Sequence, residues 1–139
     1  MLLLIHAAIT FALVGLIWTV QLVIYPLFSK IGSEAFHAYH QRYMQRIGFL
    51  VGPLMFGEIA TAGLVLFQGE RSPWFLATLP LLALIWLSTW RIHIPLHRQL
   101  EENFSMRACE RLVFTNWLRT VAWTLRSLFL LRLILGNFS

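Results

Sequence analysis

The sequence predicts an all-α integral membrane protein, an up-down bundle of four transmembrane helices with a short amphipathic helix before the second span. Three observations carry that expectation. Only 12% of the 139 residues are charged and 58% are hydrophobic, where an ordinary soluble domain has about 25% charged residues. Four apolar runs, at 2–28, 47–67, 73–97 and 112–135, each reach the roughly 20 residues that a helix needs to cross a bilayer core. The runs are also unbroken, so the backbone groups they carry into lipid are satisfied by helices and not by the short alternating strands of a barrel. Residues 1–139 read as one membrane domain without internal repeats.

The first run lacks a basic leading segment and a small-residue cleavage site before Tyr25-Pro26, which makes it a span and not a cleavable signal. In the connection that follows, Ser33-Glu34 can start an amphipathic helix whose stripe of Phe36, His40, Tyr43 and Ile47 leads into the second span. The hinge Gln68-Gly69-Glu70-Arg71-Ser72-Pro73 ends one helix on glycine and opens the next on a serine cap followed by proline. After the third run the chain is polar from 98 to 105, and Ser105 is the expected cap of the fourth helix. Gly48 and Gly52 on the second span form a small-xxx-small pair, expected to serve close helix packing.

Orientation follows from positive charge beside the spans. Lys30, Arg42 and Arg46 flank one long connection and Arg98, Arg107 and Arg111 the other, while Arg71 and Arg132 lie on the opposite side. The positive-inside rule then puts both termini outside, with a bacterial inner (cytoplasmic) membrane as the expected location. The net charge of +5 is dispersed and not gathered into a patch, which argues against nucleic acid. Expected partners are membrane lipids and a lipophilic small molecule, and a homodimer is compatible with so small a bundle. Cys109 is the single cysteine, so there is no intrachain disulfide and no cysteine-based metal cluster.

The informative residues are polar ones at membrane depth, where an arginine costs roughly 2.5 to 3.5 kcal/mol even on the lenient insertion scale. At 1.5 Å per residue, His93 and Asn116 lie roughly 6 to 8 Å from the cytoplasmic end of their spans, and Gln21 and Arg119 about 10 to 12 Å. Glu58 and Arg126 lie deeper, at roughly 16 to 21 Å. Asn116, Arg119, Trp123 and Arg126 follow helical steps and share a stripe. Glu58 can pair with either arginine as packing glue, leaving the other cation for an anionic or carbonyl-bearing ligand.

His93 and His97 are four apart, the spacing that brings two imidazoles onto one helix face and can chelate a metal. The same spacing also occurs in histidines that only meet water or headgroups. Together with His40 and Glu58 they would form a donor set suited to iron, zinc or copper. His6 lies apart, as a packed histidine or an axial haem ligand. Gln21, Tyr25, Trp90, Asn116 and Arg126 are the expected substrate-binding groups, and Trp86, Trp90, His93 and His97 share one stripe that can wall a planar substrate. No phosphate-cradling glycine loop, nucleophile elbow or HExxH occurs.

Tyr25-Pro26 closing the first span, Pro95-Leu96-His97-Arg98-Gln99-Leu100 closing the third, and Asn116-Trp117-Leu118-Arg119 in the fourth resemble the small four-helix membrane proteins grouped with anthrone oxygenases. In that group the third span often closes with proline, an asparagine and a basic residue; histidine stands here where asparagine is common. The resemblance implies an oxidative reaction on a hydrophobic aromatic molecule. The expectation is therefore a membrane-embedded oxidoreductase or oxygenase-like enzyme, metal- or haem-dependent, with His97, Glu58 and Arg119 as catalytic groups. The alternatives are a non-catalytic binder or carrier of lipid, quinone or haem, and a structural membrane subunit.

Overall fold

The structure, a computed structural model, describes residues 1–136, and no strand occurs among them. Four long helices follow one another: α1 (Leu2–Phe28), α2 (Ser33–Phe67), α3 (Pro73–Glu102) and α4 (Met106–Gly136). The first three are long and apolar enough to cross a membrane. The apolar run of α4 is interrupted by Arg119, Arg126 and Arg132. Large apolar side chains point outward along the bundle, with Phe67 88% and Phe49 85% exposed, a surface that suits lipid and not water.

Two boundaries differ from the sequence expectation in an instructive way. The short amphipathic helix and the second span are one continuous helix of 35 residues, because neither glycine nor proline interrupts 34–47. At roughly 52 Å, α2 is far longer than a hydrocarbon core of about 30 Å. Likewise α3 runs on to Glu102, past its apolar stretch, whereas α4 begins at Met106, directly after the expected cap Ser105. The caps fall where expected. Gly69 takes a φ of +93°, and the amides of Gly69 and Glu70 fold back onto the carbonyls of Leu66 and Val65, closing α2 with a Schellman motif. Ser72 Oγ accepts from the Phe75 amide at 3.2 Å and Ser105 Oγ from the Ala108 amide at 3.3 Å, capping α3 and α4.

Each of α1 and α3 contains one π turn, at Val20–Ile24 and Thr89–His93. Both end two residues before a proline, Pro26 and Pro95. A proline ring crowds the carbonyl four residues back and offers no amide to it, and a wider turn relieves that clash. Proline alone does not dictate the turn, because Pro53 and Pro80 sit in regular α-helix. Gln21 and His93 lie within these two π turns and are both buried.

Packing is layered along the bundle axis. Ala7, Val65, Phe75 and Leu130 form one apolar layer, Leu13, Ile17, Met55, Ile85 and Trp123 a second, and Tyr25, Phe28, Phe36, Leu100 and Leu112 a third. The buried polar residues occupy the two gaps between these layers. α4 packs along α3 and α1, and α2 along α1, whereas α2 and α3 meet near the Ile94–Glu102 end of α3, at the hinge end through Val65 and Phe75, and between these through the rings of Phe56 and Trp86 at 5.3 Å. A cleft opens where they diverge.

Candidate functional site

The first polar layer is a closed ionic cluster fed by all four helices. Arg126 and Glu58, both fully buried, pair at 3.2 Å. Glu58 also accepts from the Thr10 hydroxyl at 2.8 Å and the Trp123 indole at 3.1 Å. Arg126 donates to the Thr78 carbonyl at 2.7 Å and lies 3.4 Å from His6 Nε2. Thr61 spends its hydroxyl hydrogen on the Gly57 carbonyl, so the His6 Nδ1–H donates to Thr61 at 2.8 Å and Nε2 faces Arg126 as an acceptor. Of the polar side-chain atoms in this cluster, only Arg126 Nε lacks a partner among the described residues. His6 is packed here with Nδ1 on Thr61 and Nε2 against Arg126.

The second polar layer is built around Arg119. Asn116 Oδ1 accepts from Arg119 Nε at 3.0 Å and Nη2 at 2.6 Å. Asn116 Nδ2 in turn donates to Gln21 Oε1 at 2.8 Å, and Gln21 Nε2 donates to the Val113 carbonyl at 3.1 Å. That chain fixes both amide orientations and holds the guanidinium from behind. In front, Arg119 reaches Thr89 Oγ1 at 3.3 Å and the Tyr25 hydroxyl at 3.4 Å. Arg119 has no carboxylate partner among the described residues, whose one carboxylate–guanidinium pair is Glu58–Arg126.

Tyr25 continues the network outward. Its hydroxyl lies 2.9 Å from His97 Nε2, and His97 Nδ1 lies 3.0 Å from His40 Nε2. His93 stands one turn from Thr89, and its Nδ1 is 2.9 Å from the Ser88 carbonyl. A carbonyl only accepts, so the Nδ1 carries the proton and Nε2 of the neutral ring is a bare lone pair. That Nε2 is buried without a partner among the described residues.

Beside this network runs the cleft between α2 and α3, about 370 Å³ in volume. Arg119, His93, His97, Tyr25, Tyr43 and Thr89 gather its polar groups, and the remaining walls are apolar. Of the residues expected to bind substrate, Tyr25 and Trp90 line it; Gln21 and Asn116 stand behind Arg119, and Arg126 belongs to the ionic cluster. The aromatic wall expected from Trp86, Trp90, His93 and His97 is present, with all four along the cleft and the two indoles edge to face at 5.6 Å.

Of the expected metal donors, His40 and His97 meet and His93 shares the cleft with His97, while Glu58 stands apart. His97 commits both nitrogens to Tyr25 and His40, and Glu58 is saturated in the other layer by Arg126, Thr10 and Trp123. No group of three or more histidine, cysteine or carboxylate side chains with a metal-holding arrangement occurs among the described residues. As placed, His40, His93, His97 and Glu58 do not fit a single ion.

Several contributors escaped the sequence reading. Thr10, Thr61 and Thr78 complete the ionic cluster, and Thr10 and Thr61 do sit one turn from His6 and Glu58, a spacing that could have flagged them. Gly48 and Gly52 were expected against a neighbouring helix but line the cleft, and a Cβ at either would meet no atom within 4 Å. The motif is the same in both settings, since a missing side chain makes room equally for a helix or for a ligand.

No family model matches the chain, and neither a curated protein nor a solved structure matches it.

Proposed function

We propose that this chain is a membrane-embedded oxidoreductase of the oxygenase-like kind, acting on a lipophilic substrate held between α2 and α3. One observation carries the reading. At the polar end of an otherwise apolar cleft, a guanidinium without a carboxylate partner stands with an imidazole nitrogen that has no donor. A substrate hydroxyl or acidic C–H placed at His93 Nε2 can transfer its proton there. The electron pair left on the substrate oxygen is stabilised by the Arg119 guanidinium and the Tyr25 hydroxyl. His97 and His40 extend that polar network by two further rings. An electron-rich anion of this kind can pass two electrons to dioxygen as the co-reactant, which with the substrate's two protons becomes hydrogen peroxide and leaves the carbonyl form of the substrate, an oxidation in keeping with the resemblance to anthrone oxygenases.

The test is oxygen uptake by protein in liposomes, supplied with lipophilic phenols and quinols. The expected result is uptake by the wild type and none by His93→Leu. Uptake that survives the substitution removes His93 as the base, and no uptake with any substrate favours the second reading, a non-catalytic carrier of lipid, quinone or haem. That alternative draws on the predominance of apolar walls in the cleft. Stoichiometric iron, zinc or copper in the purified protein, or a Soret band, would return the reading to a bound cofactor.

The bundle crosses the membrane four times in this reading, up and down, with both termini outside a bacterial inner membrane. Arg119 and Arg126 do not prevent α4 from crossing, because both are buried inside the bundle. Cysteines placed at the exposed Gln68 and Glu102 are expected to label differently with an impermeant maleimide. Gln68→Cys should react in intact cells and Glu102→Cys only after lysis; the reverse pattern would invert the topology.

A further inference from the structure

We infer that the cleft takes the hydroxyl form of a lipophilic ring compound, a quinol, in preference to its carbonyl form, the quinone. This rests on the reading of the cleft as a lipophilic substrate site and adds the polar pattern its occupant must carry. Two residues that line the cleft each carry a buried polar atom without a partner among the described residues: the donor Nε1 of Trp86 and the acceptor Nε2 of His93. Such atoms are rare in native proteins and call for an explanation. Both belong to α3, seven residues and about 10 Å of helix axis apart, with the π turn of Thr89–His93 in the interval.

Consider the oxygen that would sit at the His93 end. It must give a hydrogen to Nε2, which has a lone pair and no proton. The same oxygen also meets the Arg119 guanidinium, anchored at Thr89 one turn away, and toward a cation it must accept. A hydroxyl does both, whereas a carbonyl or ether only accepts and leaves Nε2 without a donor. At the far end the Trp86 N–H needs an acceptor oxygen, which a second ring hydroxyl supplies. Between the two ends the walls are Ile17, Met55, Phe56 and Trp90, and the open faces of Gly48 and Gly52 leave room for a ring. A volume of about 370 Å³ falls within the roughly 300–1,000 Å³ of small-molecule sites. An anionic lipid phosphate would satisfy Arg119 but brings no donor for His93.

The experiment compares decylubiquinol and decylubiquinone by isothermal titration against the full chain in lipid nanodiscs. It is run without oxygen at about pH 8, where an ordinary imidazole is neutral. The wild type is expected to bind the quinol roughly tenfold more tightly, the worth of one further hydrogen bond. His93→Leu should bring the quinol down to the level of the quinone. Trp86→Phe, which keeps a ring and removes the N–H, should weaken both forms alike, and Gly52→Leu should weaken both by filling the cleft. Equal wild-type affinity for the two forms, lost in Gly52→Leu, overturns the hydroxyl preference and leaves the cleft as a lipophilic site. No binding of either form, or binding indifferent to Gly52→Leu, overturns the preference and the substrate-site reading together.

Discussion

Glu58→Ala is expected to destabilise the protein by about 3–5 kcal/mol, because it leaves the buried Arg126 guanidinium without a counter-charge. Three bonds to the carboxylate disappear at once, from Arg126, Thr10 and Trp123, and all four helices lose a shared anchor. The double replacement Glu58→Leu with Arg126→Met removes both charges and is expected to recover most of the loss, since a buried pair competes poorly with well-packed apolar groups of similar volume. Thermal unfolding of detergent-purified protein measures both variants. A Glu58→Ala protein within about 1 kcal/mol of wild type would mean that water reaches Arg126 and that the layer is not dry. The double variant should also keep cleft binding, because neither residue lines the cleft.

How much of this was legible beforehand divides along physical lines. The helices were readable because lipid leaves the backbone few options, so long apolar runs translate directly into helical rods. The buried polar residues were readable for the same reason, since each is too costly at depth to be idle. Their partners were harder. Arg119 and Arg126 lie two turns apart on one face of α4, so sequence allowed Glu58 to meet either; the structure pairs it with Arg126, the arginine at its own depth. What depth arithmetic could not supply is rotation about each helix axis. Two π turns reset that rotation in α1 and α3, and no residue pattern announces them, because Pro53 and Pro80 occur without one. The expected union of Glu58 with the histidines gave way to two separate layers, one closed and ionic, the other opening onto a cleft, because Glu58 lies deeper along the axis than the histidines do.

Those two layers should respond to mutation in opposite ways, and Arg119→Leu is the variant that separates them. Arg119 is 8% exposed and its hydrogen bonds run to Asn116, Thr89 and Tyr25, all neutral. A buried cation without a counter-charge is a standing cost to the fold, so its removal is expected to leave the unfolding temperature equal to wild type or higher. Function should move the other way. If Arg119 stabilises developing charge on a substrate oxygen, its loss is expected to lower turnover by about 10²–10³, a trade of activity for stability typical of functional sites. Asn116→Ala tests the same point more gently, because it keeps the guanidinium and removes the oxygen that orients it; turnover should fall less than in Arg119→Leu. Oxygen uptake and thermal unfolding measured on the same preparations decide the matter. A loss of stability in Arg119→Leu as large as that in Glu58→Ala, with turnover intact, would make Arg119 a second structural anchor and leave the cleft without its cation.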